Sequence, residues 1–106
     1  MDDRVMGLVR RVKEFLAQRY GGEIAQVILY GSQVRGEARE SSDIDLLVVV
    51  REPADPREVR ESLGDLLLDI LLEEGELVSV IAIPKDHFDH YNSPFLLNVK
   101  GEGVPV

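Results

Sequence analysis

Residues 43–50 read Asp-Ile-Asp-Leu-Leu-Val-Val-Val: two carboxylates, two positions apart, directly ahead of five consecutive apolar residues. The short apolar, β-branched run predicts a strand. Side chains alternate along a strand, so Asp43 and Asp45 share one face. A sheet interior does not take up two carboxylates without compensating charge. Like charges this close repel unless a cation sits between them. Mg²⁺ prefers oxygen ligands and is commonly held by one or two carboxylates plus phosphate oxygens. The pair therefore points to a Mg²⁺–nucleotide site at the head of a strand; the plainer alternative is a solvated strand edge.

A second feature lies upstream. Ile24–Tyr30 is short, β-rich and bounded by glycines, which predicts a buried strand. Gly31-Ser32 follows it at once. Glycine lets a phosphate approach the backbone closely. The Ser32 hydroxyl and nearby N–H groups can donate to phosphate oxygens, more so if a helical turn begins there. Arg35 and Arg39, in the same polar stretch, are further candidates for phosphate contact. If the two strands are neighbours, one element would hold phosphate and the other the metal. A P-loop is excluded, because no Gly-x-x-x-x-Gly-Lys-Ser/Thr is present.

The remaining elements follow from periodicity and punctuation. Val5, Leu8, Val9, Val12, Phe15, Leu16 and Tyr20 step by three and four, predicting a helix over 3–20 that Gly21-Gly22 stops. Asp55-Pro56 opens a long helix running to about Glu74, ended by Gly75. Leu68 and Leu72 widen its apolar stripe, so it is expected to pack on more than one neighbour. Residues 77–83 predict a third strand, closed by Pro84, and Ser93-Pro94 opens a last helix to about Lys100. The order α-β-(turn)-β-α-β-α describes one α/β domain over residues 1–106, a small sheet covered by helices.

Composition narrows the partners. The net charge of −8 argues against long DNA or RNA as main partner. A nucleotide remains compatible, because bound divalent metal supplies positive charge. No apolar run reaches the roughly 20 residues needed to cross a bilayer, and the N-terminus does not resemble a signal peptide. Cysteine is absent, which excludes disulfides and thiolate chemistry and fits a cytoplasmic protein. His87 and His90 form His-x-x-His without an obvious third ligand, so they read as exposed surface histidines. Asp65 and Asp69 read as a solvated helix face. Phe15, Tyr20, Phe88 and Phe95 read as packing residues, and Tyr30 as a strand-end core residue beside the Gly-Ser turn. Open sheet edges in so small a domain make self-association plausible.

Tyr30-Gly31-Ser32-Gln33-Val34-Arg35-Gly36 and Ser41-Ser42-Asp43-Ile44-Asp45-Leu46-Leu47-Val48 together give Gly-Ser-x10-Asp-x-Asp. This closely resembles the signature of the DNA polymerase β-like nucleotidyltransferases, and the short chain resembles their minimal (MNT) branch. More loosely, the tail from Ser93-Pro94-Phe95 to Glu102-Gly103-Val104 also resembles that branch. The resemblance implies an α/β palm-like fold with a short mixed sheet. It implies transfer of a nucleoside monophosphate, with ATP the expected donor, to a hydroxyl. Gly31 and Ser32 would bind the triphosphate, and Asp43 and Asp45 would hold two Mg²⁺ ions. Members of this branch pair with helical HEPN-domain toxins as antitoxins, and some adenylylate a partner tyrosine. The family often carries a third carboxylate on the strand after the long helix. The matching position here is Ser79, with Glu76 the nearest acid. Hence the alternative that the chain is a catalytically weakened, partner-binding antitoxin module.

Overall fold

The computed structural model describes residues 2–36 and 43–106. Helix α1, Asp3–Tyr20, opens on an Asp2 side chain that accepts from the Arg4 N–H and closes at Gly21. A short 3₁₀ turn, Gly21–Glu23, leads into strand β1, Ile24–Tyr30. Both elements have the bounds that periodicity predicts. A single helical turn α2, Ser32–Arg35, follows Gly31, and strand β2 spans Ile44–Val50.

The long helix is broken in two. Helix α3, Pro56–Ser62, is capped by Asp55, whose side chain accepts from the Arg57 N–H. Helix α4 runs Gly64–Glu74. At the junction the Ser62 hydroxyl donates to the Val59 carbonyl at 2.7 Å, and glycine at 64 is a poor helix former. The break lets Val59, Leu63 and Ile70 all reach complete burial. Leu68 and Leu72 point outward, 52% and 74% exposed, so the second neighbour expected for them is not present among the described residues.

Strand β3, Val78–Pro84, is followed by α5, Lys85–His90, and α6, Pro94–Glu102. A two-residue strand β4, Val104–Pro105, was not expected from the sequence. The sheet order is β3-β2-β1-β4. β1 pairs antiparallel with β2 and with β4, while β2 and β3 are parallel, the α3–α4 crossover supplying the long connection that parallel strands need. Two features limit the edges: β4 is only two residues long, and Arg60 Nε donates to the Val80 carbonyl of β3 at 3.0 Å.

Alternation divides the sheet into a back and a front. On the back, Val27, Leu29, Ile44, Leu46, Val48, Val50, Val78 and Val80 join the buried faces of α1, α3 and α4 in the main core. On the front, Ile28, Leu47 and Val49 pack with Leu96 and Val99 of α6, bordered by Tyr30, Ile83 and Phe88. This second core is smaller, and among the described residues it leaves one end of the front face only partly covered. No helix among the described residues is long and apolar enough to cross a membrane.

Candidate functional site

The carboxylates lie at that partly covered end. Tyr30 is the register partner of Asp45 across β1–β2, and Asp45 is the register partner of Ser79 across β2–β3. A row Tyr30–Asp45–Ser79 therefore crosses three strands on the front face. Beneath it run Ile28, Leu47 and Ile81, of which Ile28 and Leu47 are sealed by α6 while Ile81 remains 40% exposed.

Gly31 continues β1 beyond this row, and its conformation, φ 82° and ψ −153°, is one that only glycine adopts readily. A Cβ built there would lie 2.6 Å from Asp45 Oδ2. The carboxylate thus packs flat against the glycine, a second reason for glycine beside close phosphate approach. The turn then enters α2, where the Gly31 carbonyl accepts from the N–H groups of Val34 and Arg35 at 3.1 and 3.2 Å. Ser32 stands at the first position of that turn, half-buried. The helical turn expected after Gly-Ser is present.

Electrostatics join the parts. The Asp45 carboxyl is held above its ordinary pKa, first by burial and then by the negative charge of Asp43, while Arg35 acts in the opposite direction. The Tyr30 hydroxyl is also raised, by burial and then by Asp45. Asp43, exposed just before β2, and Arg35 on α2 are therefore both within electrostatic reach of Asp45. Arg35 Nη1 also donates to Glu102 Oε1 at 2.9 Å. A bound cation would stabilise the ionised Asp45, which burial and the Asp43 charge disfavour. The donor set thus fits one Mg²⁺ completed by phosphate oxygens.

The other candidates fall elsewhere. Ser79 stands beside Asp45, at the place expected for a third acid, and is neutral. Glu76 does not substitute: it pairs with Arg4 of α1 at 3.1 Å. Among the described residues no three His, Cys, Asp or Glu side chains converge as a metal site. His87 stacks on Tyr91 with ring centroids 4.6 Å apart, and His90 Nδ1 lies 3.1 Å from Asp86 Oδ1, so both are exposed histidines of a short helix, as expected. Asp65 and Asp69 are exposed on α4. Phe95 meets Tyr30 edge-on at 5.5 Å, while Phe15, Tyr20 and Phe88 are partly buried against the two cores. Arg39 lies outside the described residues. Glu102 is the site neighbour that sequence reasoning missed; its only signal was the loose likeness of the Glu102-Gly103-Val104 tail.

The nucleotidyltransferase domain model matches residues 9–98. The chain belongs to that family. Two proteins of Methanocaldococcus jannaschii, provisionally named protein adenylyltransferases, are 34% and 35% identical over 91 and 98 residues. These alignments take in 81% and 89% of this chain. They span 60% of the first relative and 92% of the second, so the nucleotidyltransferase resembles the second over almost its whole length.

Solved structures share the fold. A provisionally identified nucleotidyltransferase from Sulfolobus solfataricus aligns over 96% of this chain and 78% of its own, with TM-score 0.58 and 19% identity. A toxin–antitoxin complex with AMP-PNP aligns over 90% and 69%, with TM-score 0.59 and 16% identity. A mutant of the toxin–antitoxin pair MntA–HpeT aligns over 91% and 69%, with TM-score 0.62 and 14% identity. Family and fold fit an MNT-type nucleotidyltransferase.

Proposed function

We propose that this nucleotidyltransferase moves AMP from ATP to a hydroxyl group of a protein, with a tyrosine of a HEPN-type toxin as the acceptor. The observation that carries the reading is the junction of Gly31 with Asp45 Oδ2, which sets a phosphate-approachable backbone directly against a carboxylate pair. The adenylyltransferase names of the two relatives support AMP as the group moved, and the toxin–antitoxin neighbours support a toxin partner. In the MntA–HpeT mutant two aspartates two positions apart are replaced by glutamates, the same spacing as Asp43 and Asp45.

In this reading Gly31, the first-turn N–H groups of α2, the Ser32 hydroxyl and Arg35 bind the triphosphate. Asp43 and Asp45 hold Mg²⁺, which would neutralise phosphate charge and lower the barrier to hydroxyl attack. The acceptor oxygen forms a bond to the α-phosphorus, the bond from that phosphorus to the β-phosphate oxygen breaks, and pyrophosphate leaves. The acceptor proton passes to solvent or to Asp45. Incubation with α-labelled ATP, Mg²⁺ and the toxin should label the toxin. Asp43→Ala/Asp45→Ala should abolish the label; equal labelling by that variant rejects the reading.

Ser79 favours a second reading. A neutral residue beside Asp45 weakens the hold on a second metal, and Glu76 is engaged by Arg4. The chain would then be an antitoxin that binds nucleotide and acts by contact. That reading requires the folded double aspartate variant to neutralise the toxin as well as the parent does.

A further inference from the structure

We propose that Glu102 is a positioning residue that aims the Arg35 guanidinium at the triphosphate, so that the C-terminal turn is part of the nucleotide site. The inference rests on the triphosphate reading of Gly31, Ser32 and Arg35. Its basis is the Nη1–Oε1 contact of 2.9 Å across 67 positions of sequence.

Three features deliver Glu102 to that point. It is the last residue of α6, whose Leu96 and Val99 are anchored in the front core. Gly103 follows, and the Gly103 N–H donates to the Val99 carbonyl at 2.7 Å. A Cβ at 103 would come within 2.5 Å of both Ile28 Cγ2 and the Val99 carbonyl oxygen, so the turn needs glycine to lie this close to β1. Val104 then pairs with Leu29, and the Val106 N–H donates to the Val27 carbonyl at 2.9 Å. The tail is thus registered on the strand that leads into Gly31.

Arg35, by contrast, sits on a single turn of helix. An arginine side chain carries about 2 kcal/mol of rotamer entropy, which a pre-oriented partner removes before the ligand arrives. A guanidinium has donors on three nitrogens, and the Glu102 carboxylate engages Nη1. The two side chains are 42% and 28% exposed, and partly exposed pairs add little to stability. Orientation is therefore the larger consequence of the contact.

The test uses the full chain with Mg²⁺ and α,β-methylene ATP, a donor whose α–β bridge cannot be cleaved, in calorimetry, and with ATP in the transfer assay. Glu102→Gln should weaken analogue binding and raise KM for ATP by about five- to tenfold, with kcat within about twofold. Glu102→Asp should fall between the two. In an Arg35→Ala background Glu102→Gln should cost nothing more. Unchanged binding by Glu102→Gln, when the parent binds, overturns the positioning role and leaves the function standing. A loss of equal size in the Arg35→Ala background overturns it in favour of a structural role. Failure of the parent to bind the analogue overturns both this role and the triphosphate reading.

Discussion

On the back of the sheet, Ile44, Leu46, Val48 and Val50 are covered along the whole length of β2 by α1, α3 and α4. On the front, Leu47 and Val49 are just as buried, yet Asp45, one alternation earlier on the same face, is only half-buried. The strand is the same and only the cover differs. The back supplies stability through continuous burial. At one end the front holds Asp43 and Asp45, where burial and then the Asp43 charge disfavour the ionised form of Asp45. A site of this kind is rigid because the opposite face of its strands is sealed.

That contrast can be broken or sharpened by substitution. Asp45→Asn should have the largest effect, lowering AMP transfer by about three orders of magnitude, or roughly 4 kcal/mol in barrier, in a folded protein; single-turnover labelling measures it. Leu63→Ala, in the sealed back core at the α3–α4 junction, should cost about 3 kcal/mol of stability in urea unfolding. Its nucleotide affinity, measured well below the midpoint, should be unchanged. Gly31→Ala links the two regions: the strained backbone should cost about 1–3 kcal/mol, and the added methyl would displace Asp45 Oδ2, so transfer and stability fall together.

Two smaller effects sharpen the picture. Ser79→Asp places a third carboxylate in register with Asp45, and should tighten Mg²⁺ binding in the presence of ATP by about tenfold. No gain in metal affinity would mean that the front row does not form the metal site. The last effect comes from titration. Burial and Asp43 raise the Asp45 pKa above its unfolded value, so its contribution to stability is fully present below the unfolded value and lost as pH rises through the folded one. At neutral pH the ionised Asp45 therefore opposes folding. Asp45→Asn should raise the metal-free Tm by about 2 °C at pH 7, an effect limited by solvent screening, and the gain should disappear in acid. Mg²⁺ should raise the Tm of the parent more than that of the variant.

Much of this was legible in the chain itself. Helix α1 and strand β1 have the limits their periodicity and flanking glycines predict, because both signals are local. Gly31-Ser32 and Asp43-Ile44-Asp45 marked the candidate site for the same reason: turn chemistry and side-chain alternation act over a few residues. The break at Leu63 was missed, because a single apolar stripe runs through it and outweighs the local signal of Gly64. Strand β4 was hidden because two residues carry no period.

The sequence alone determined which elements form and that two carboxylates head a strand on one face. The tertiary structure decided what those carboxylates meet: Gly31 against Asp45 Oδ2, Ser79 beside it in place of an acid, Glu76 drawn away by Arg4, and Glu102 brought to Arg35. Each of these contacts depends on strand register and helix cover across long stretches of chain. Local propensity cannot encode them, because they are settled by which faces bury together.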